Sequence, residues 1–238
     1  TLNGSDLDMT AAAVGALRGD LITDANTVVT IEGQTLTIDN NITVNKVVMG
    51  YDGGGTIDAV GQTITAPNFD ELETRTVGAP NTINANLGGT GGMRIRHERP
   101  DLNGNPNETT VPTLLMTTVN GNHEYNGNTI IDSGGLNIGD VAVNTLHAVN
   151  GGHLRLEADG NRLPAQLMGH GVLNMTIGTA QGNVYWDQEG GGFAAIGGDL
   201  TVNLTRNDLA VAPLTWGSNV NGFNGKRLKL GHDEATNK

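Results

Sequence analysis

The sequence predicts an all-β chain in which short strands stack as a parallel β-helix, or β-solenoid, and three observations lead there. Apolar residues recur at every second position over most of the length, the period of a strand with one buried face. The parity of that alternation flips at Gly and Asn, so each strand is short and ends at a corner. Glycine makes up 36 of 238 residues while aromatics are only 3%, which suits an elongated stack with a thin aliphatic core. Disorder is the other state that so much glycine allows, but 37% hydrophobic residues in regular alternation argue against it.

The first element departs from this rule. Residues 5–19, SDLDMTAAAVGALRG, read as a short N-terminal helix. Ser5 would be its N-cap, Asp6 and Asp8 would meet the positive end of the dipole, and Gly19 would stop it. Such a helix is expected to cap one end of the stack. From there the period changes to two. In TVVTIEGQTLTIDNNITVNKVVMG the apolar set runs Val29, Ile31, flips to Leu36, Ile38, Ile42, Val44, and flips back to Val47, Met49. The flips fall at Gly33-Gln34 and Asn45-Lys46, which are therefore corners. The same pattern continues in GGGTIDAVGQTITAP, NTINANLGGTGGMRI, GGHLRLEADG, GGDLTVNLT and GKRLKLG. Strands of about three to five residues result. Asn120-Gly121 and Asn224-Gly225 also suit two-residue hairpins, which keeps an antiparallel sandwich open. In the stacked reading, a rung of roughly 20 residues gives about ten to twelve rungs and a stack about 50 Å tall, with asparagine ladders at equivalent corners.

Charge and composition narrow the function. A net charge of −12 argues against nucleic acid, whose phosphates call for clustered Lys and Arg. It favours solubility and mutual repulsion outside the cell. No run of about 18 apolar residues spans a bilayer as a helix. No basic start followed by an apolar stretch marks a signal peptide, as expected of a mature or excerpted chain. The absence of cysteine excludes disulfides and thiolate metal sites. It remains compatible with secretion, because stacked strands satisfy one another's backbone hydrogen bonds.

Residues 119–140, VNGNHEYNGNTIIDSGGLNIGD, carry a more specific signal. Val119, Gly121, Tyr125, Gly127, Thr129, Ile131, Gly134, Leu136, Ile138 and Gly139 fall at the intervals of the autotransporter-associated β-strand repeat, which this stretch resembles. His123 departs from it, standing where the repeat has Asn. Residues 83–95, INANLGGTGGMRI, are similar to the glycine-rich lead-in of that repeat, and residues 96–113 look like a loop inserted between the two. Downstream, GHGVLNMTIGTAQGNVYWDQEGGGFAAIGGDLTVNL and LTWGSNVNGFNGKRLKLG are similar to a second, longer module, with Trp186, Phe193, Trp216 and Phe223 at its aromatic or apolar positions. The resemblance covers residues 83–231, with fainter support over 27–66. It implies a right-handed parallel β-helix on the surface of a Gram-negative-type bacterium, and it implies no enzyme. Residues 1–238 are expected to form one domain, excerpted from a longer chain.

Several residues offer chemistry, each against a plainer role. Arg94, Arg96 and Arg99 in RIRHER form the densest basic run, suited to an anionic glycan or an acidic neighbour but equally to a solvated face. Asp101, Asn103, Asn105 and Glu108 faintly imitate a calcium loop, yet the glycine and bidentate glutamate of an EF-hand are not in place. His97, His123, His147, His153, His170 and His232 lack the spacing of a zinc site. Asp187 and Glu189 lie beside aromatics, as glycosidase carboxylates can, but share one strand parity. No catalytic, cofactor or metal residue is assigned. The expected function is therefore a rigid spacer, fibre or coat subunit that self-associates or stacks on further repeats. An adhesin binding a glycan or cell surface through its loops is the alternative, and a polysaccharide-active enzyme a third.

Overall fold

A computed structural model describes residues 7–9, 16–49, 54–74, 80–97, 116–142, 152–157, 165–178, 180, 182–186, 190–206 and 227–231. All regular structure in them is β-strand. In chain order the first ten are β1 (Leu7–Met9), β2 (Ala16–Gly19), β3 (Val28–Ile31), β4 (Thr35–Ile38), β5 (Ile42–Thr43), β6 (Lys46–Met49), β7 (Thr56–Thr65), β8 (Asn68–Thr74), β9 (Asn81–Gly89) and β10 (Met93–His97). There follow β11 (Met116–Asn120), β12 (His123–Tyr125), β13 (Thr129–Ser133), β14 (Gly135–Asp140), β15 (Leu154–Leu156), β16 (Ala165–Ile177), β17 (Val184–Trp186), β18 (Gly190–Arg206) and β19 (Arg227–Leu230).

Every pairing between these strands is parallel. Apart from a single contact of β16 with β17, Ile177 beside Val184, the pairings sort into three ladders. One runs β1, β3, β6, β8, β10, β13, β15, β17. A second runs β2, β4, β7, β9, β11, β14, β16, β18, β19. The third is shorter and joins β5 to the ends of β7 and β9 and then to β12. The chain visits the ladders repeatedly in one order, and adjacent strands in a ladder come from successive visits.

The interior follows from the alternation. Met9, Ile31, Met49, Ile95, Ile131, Leu156 and Trp186 occupy one register column of the first ladder, linked through β8. None is more than 3% exposed. In the second ladder Leu36, Ile57, Ile83 and Val119 form another such column. Each such side chain contributes about 1.5–3 kcal/mol of apolar burial, which a single layer could not obtain alone.

Outward positions of the second ladder carry small polar residues. Thr35, Thr56, Thr82 and Thr118 line up in one column, and Thr37, Asp58, Asn84 and Asn120 in the next. Asn120 Nδ2 donates to Asn84 Oδ1 at 2.8 Å, and Asn84 Nδ2 to Asp58 Oδ1 at 3.5 Å. At the corners, asparagine side chains tie one layer to the next. Asn40 Oδ1 accepts from Leu21 N–H at 2.8 Å, Asn41 Oδ1 from Thr63 N–H at 2.8 Å, and Asn86 Oδ1 from Asn122 N–H at 2.9 Å. Backbone groups that a bend would orphan are thereby satisfied.

The structure corrects four sequence expectations. The helix expected over 5–19 is not seen among the described residues: Leu7–Met9 pairs with Val29–Ile31, and Ala16–Gly19 with Thr35–Ile38. Local helix propensity is worth tenths of a kcal/mol per residue, and pairing that also buries Met9 outweighs it; Ser5, Asp6 and residues 10–15 lie outside the described residues. Asn120-Gly121 is no hairpin, since β11 and β12 both run parallel to β9 and the pair marks a corner between them. The repeat length is not uniform either, for Val28 faces Lys46, eighteen residues on, while Thr82 faces Thr118, thirty-six residues on. The longer step contains the whole of the expected insertion at 96–113, whose first two residues belong to β10 and whose remainder lies outside the described residues. A corner at Asp39–Asn41 went unread because three turn residues leave Ile38 and Ile42 on the same parity.

Glycine is required where layers touch through backbone. Gly121 has φ +140°, and a Cβ there would lie 2.2 Å from Ala85 O. At Gly152 the corresponding atom would lie 2.0 Å from Gly127 O. No side chain fits either place.

Candidate functional site

The sequence-level candidates separate once they are placed. Arg94 projects from β10 between the inward Met93 and Ile95, Arg96 follows Ile95, and His97 ends the strand. Arg99, Asp101, Asn103, Asn105 and Glu108 lie outside the described residues, as do Asp187, Glu189, His147, His232, Trp216 and Phe223. Trp186, beside the acidic pair, is a core residue, 3% exposed and packed 5.9 Å from the ring of Phe193. It therefore offers no open platform for a sugar. His123 is buried in register with Leu87, its ring 6.4 Å from that of Tyr125. His170 sits at a bend of β16, its Nδ1 3.2 Å from Ile196 O. Among the described residues no group of His, Asp and Glu is arranged to hold a metal ion.

Parallel register builds a site that sequence reading missed. On the outer face of the first ladder, Arg94 aligns with Ile130, Ile130 with Arg155, and Arg155 with Tyr185. Four successive layers thus present a cation, an aliphatic group, a second cation and an aromatic ring in one column. Acids sit alongside. Arg94 Nε lies 3.1 Å from Asp132 Oδ2, and Arg155 Nη2 pairs with Glu157 Oε1. The Arg155 guanidinium also stands 5.3 Å above the Tyr185 ring centroid, and His153 flanks that ring at 6.5 Å.

The two charges are not equally presented. The Asp132 and Glu157 side chains are 13% and 12% exposed, against 41% and 32% for Arg94 and Arg155. Carboxylates lie low and guanidiniums reach outward over them, an arrangement that orients the arginines without hiding them. Arg96 extends the strip sideways, aligned with Ser133 on one strand and Glu73 on the other. Of these residues only the two arginines of β10 and His153 stood out in the sequence. Arg155 and Tyr185 are brought beside Arg94 solely by the stacking of β10, β13, β15 and β17.

Among the described residues, Tyr125 is the one group whose acidity is clearly altered. Burial pushes its phenol up to about 12, opposed by a hydrogen bond with Thr129 Oγ1. Both residues belong to the interior, so this is a structural phenol and no general acid. The described residues contain no helix long and apolar enough to cross a membrane. Comparison with family models, curated proteins and solved structures found no match.

Proposed function

We propose that this chain is a non-enzymatic structural element, a right-handed β-solenoid serving as a rigid spacer, fibre or coat subunit on the surface of a Gram-negative-type bacterium. The observation that carries the reading is the continuous parallel pairing from β1 to β17, with one apolar column along it from Met9 to Trp186 that persists through local bulges in β6, β8 and β10. A chain that visits three ladders in fixed order and pairs only in parallel is the pattern a coil produces. Stiffness follows, because bending such a stack breaks many backbone hydrogen bonds together. The resemblance to the autotransporter-associated repeat supports the surface location and the right-handed sense. Solenoid ends carry strand edges, which favour stacking on further repeats or on another copy. Electron microscopy tests this: eight or nine layers at about 4.8 Å give rods about 40 Å long per chain, alone or joined end to end. Compact, isometric particles at every concentration would remove the reading.

A second reading, adhesion to a glycan, is favoured by the outward column of Arg94, Ile130, Arg155 and Tyr185. Deleting residues 98–113 tests the version in which the inserted loop does the binding. Loss of glycan binding with an unchanged circular dichroism spectrum supports that version, and retained binding counts against it.

A further inference from the structure

We propose that the outer face of β10, β13, β15 and β17 is a binding site for a linear anionic polysaccharide lying along the stacking direction. This inference rests on the adhesion reading and moves its site from the loop to the sheet. Arg94 and Arg155 occupy one register column with Ile130 between them. Two layers separate the guanidiniums, about 10 Å along the stack. A chain of sugar rings following the column would meet a cation, an apolar patch and a second cation in turn. The acid groups of the glycan would pair with the guanidinium forks, and the apolar face of a ring would cover Ile130.

The arginines are held ready for this. Arg94 contacts Asp132 through Nε while its side chain stays 41% exposed, and a guanidinium carries four further N–H donors on its terminal nitrogens. Arg155 is fixed from two sides, by Glu157 and by the face of Tyr185. Prior fixation lowers the entropy lost on binding. On a chain of net charge −12, a surface that exposes guanidiniums and sinks its carboxylates selects an anion from a field that otherwise repels it. The column is one residue wide and four layers long. A folded acidic protein needs roughly 800 Å² per partner, whereas a single polymer chain fits a strip.

Titration of the whole chain with polygalacturonate, followed by calorimetry, tests the proposal, with dextran as the neutral polymer and polyglutamate as the acidic peptide. Polygalacturonate is expected to bind, more weakly as salt rises, and dextran is not. The double variant Arg94→Gln/Arg155→Gln is expected to weaken binding roughly tenfold or more. Arg18→Gln/Lys229→Gln, which removes the same charge elsewhere, should leave it within about twofold. Circular dichroism establishes that both variants keep the β-sheet spectrum, and Arg155→Lys, which keeps charge but loses the fork, should fall between them. Equal weakening by both double variants, or polyglutamate binding as tightly as polygalacturonate, overturns the proposal. Binding lost on deleting 98–113 but untouched in the arginine variant sinks this site while leaving the adhesion reading intact. No binding of any anionic polymer defeats both.

Discussion

The layers built from β3 to β10 and those built from β16 and β18 use the same parallel pairing to different effect. In β3, β4 and β6 burial alternates at every residue, so one face is core and the other meets solvent. In Ala165–Gly169 and Gly190–Ala195 every residue is buried. Leu167 and Phe193 point to the main core, while Met168 and Ala194 form a second apolar cluster on the opposite face, with Ile196 against it. Gln166, on that same outer parity, is fully buried and donates from Nε2 to Gly231 O at 2.6 Å. Beyond the bend at His170 alternation returns, with Asn203 bonded to Asn174 and Thr205 to Thr176 across the two strands. Alternation thus marks a sheet covered once, and continuous burial marks one covered on both faces.

Substitutions can break that comparison. The largest effect is expected at the corner between β11 and β12: Gly121→Ala combines a left-handed backbone with a backbone clash against Ala85, and should cost on the order of 4 kcal/mol or abolish folding. Chemical denaturation of the purified variant checks this, and a loss under about 1 kcal/mol would show that the layers are not in backbone contact there.

Next come the two apolar faces. Leu36→Ala in the single-face layers should cost about 3 kcal/mol. If the outer face of β16 and β18 is as well covered as its burial indicates, Met168→Ala should cost about as much, though it points away from the main core. A value near zero for Met168 would make the two regions alike.

Tyr125 supplies a pH dependence of similar size. Its folded value lies above its ordinary value of 10, so the unfolded chain releases the proton first as pH rises. Stability from this group is complete below about pH 10 and falls through about pH 12, by about 3 kcal/mol in all. Tyr125→Phe removes that ionisation, and its unfolding free energy should drop less than that of the wild type over this interval.

The smallest effect belongs to the outer ladder. Asn120→Ala removes one partly exposed hydrogen bond to Asn84 and should cost about 1 kcal/mol or less.

Much of the first region was legible in the sequence, and little of the second. Val29, Ile31, Leu36 and Ile38 were readable as core because strand geometry converts parity into facing, and Gly33 and Asn45 were readable as bends because they break it. The corner at Asp39–Asn41 escaped because three residues restore parity. The helix expected over 5–19 failed because local propensity carries no information about an open strand edge nearby. Gly190–Ala195 reads as five small residues around Phe193, with nothing in its period to say that both faces are buried. The Arg94 to Tyr185 column was invisible for a related reason: its members come from four layers separated by unequal steps, and only the register brings them together.

Stacking in register is the claim on which the fold, the proposed function and the binding strip all depend. Cysteine-free sequence makes it directly measurable with paired spin labels on Thr35 and, in turn, Thr56, Thr82 and Thr118, the outward column of the second ladder. The separations should rise by about 4.8 Å per layer, to about 14 Å for the last pair. Separations that fail to increase in that order would contradict the account.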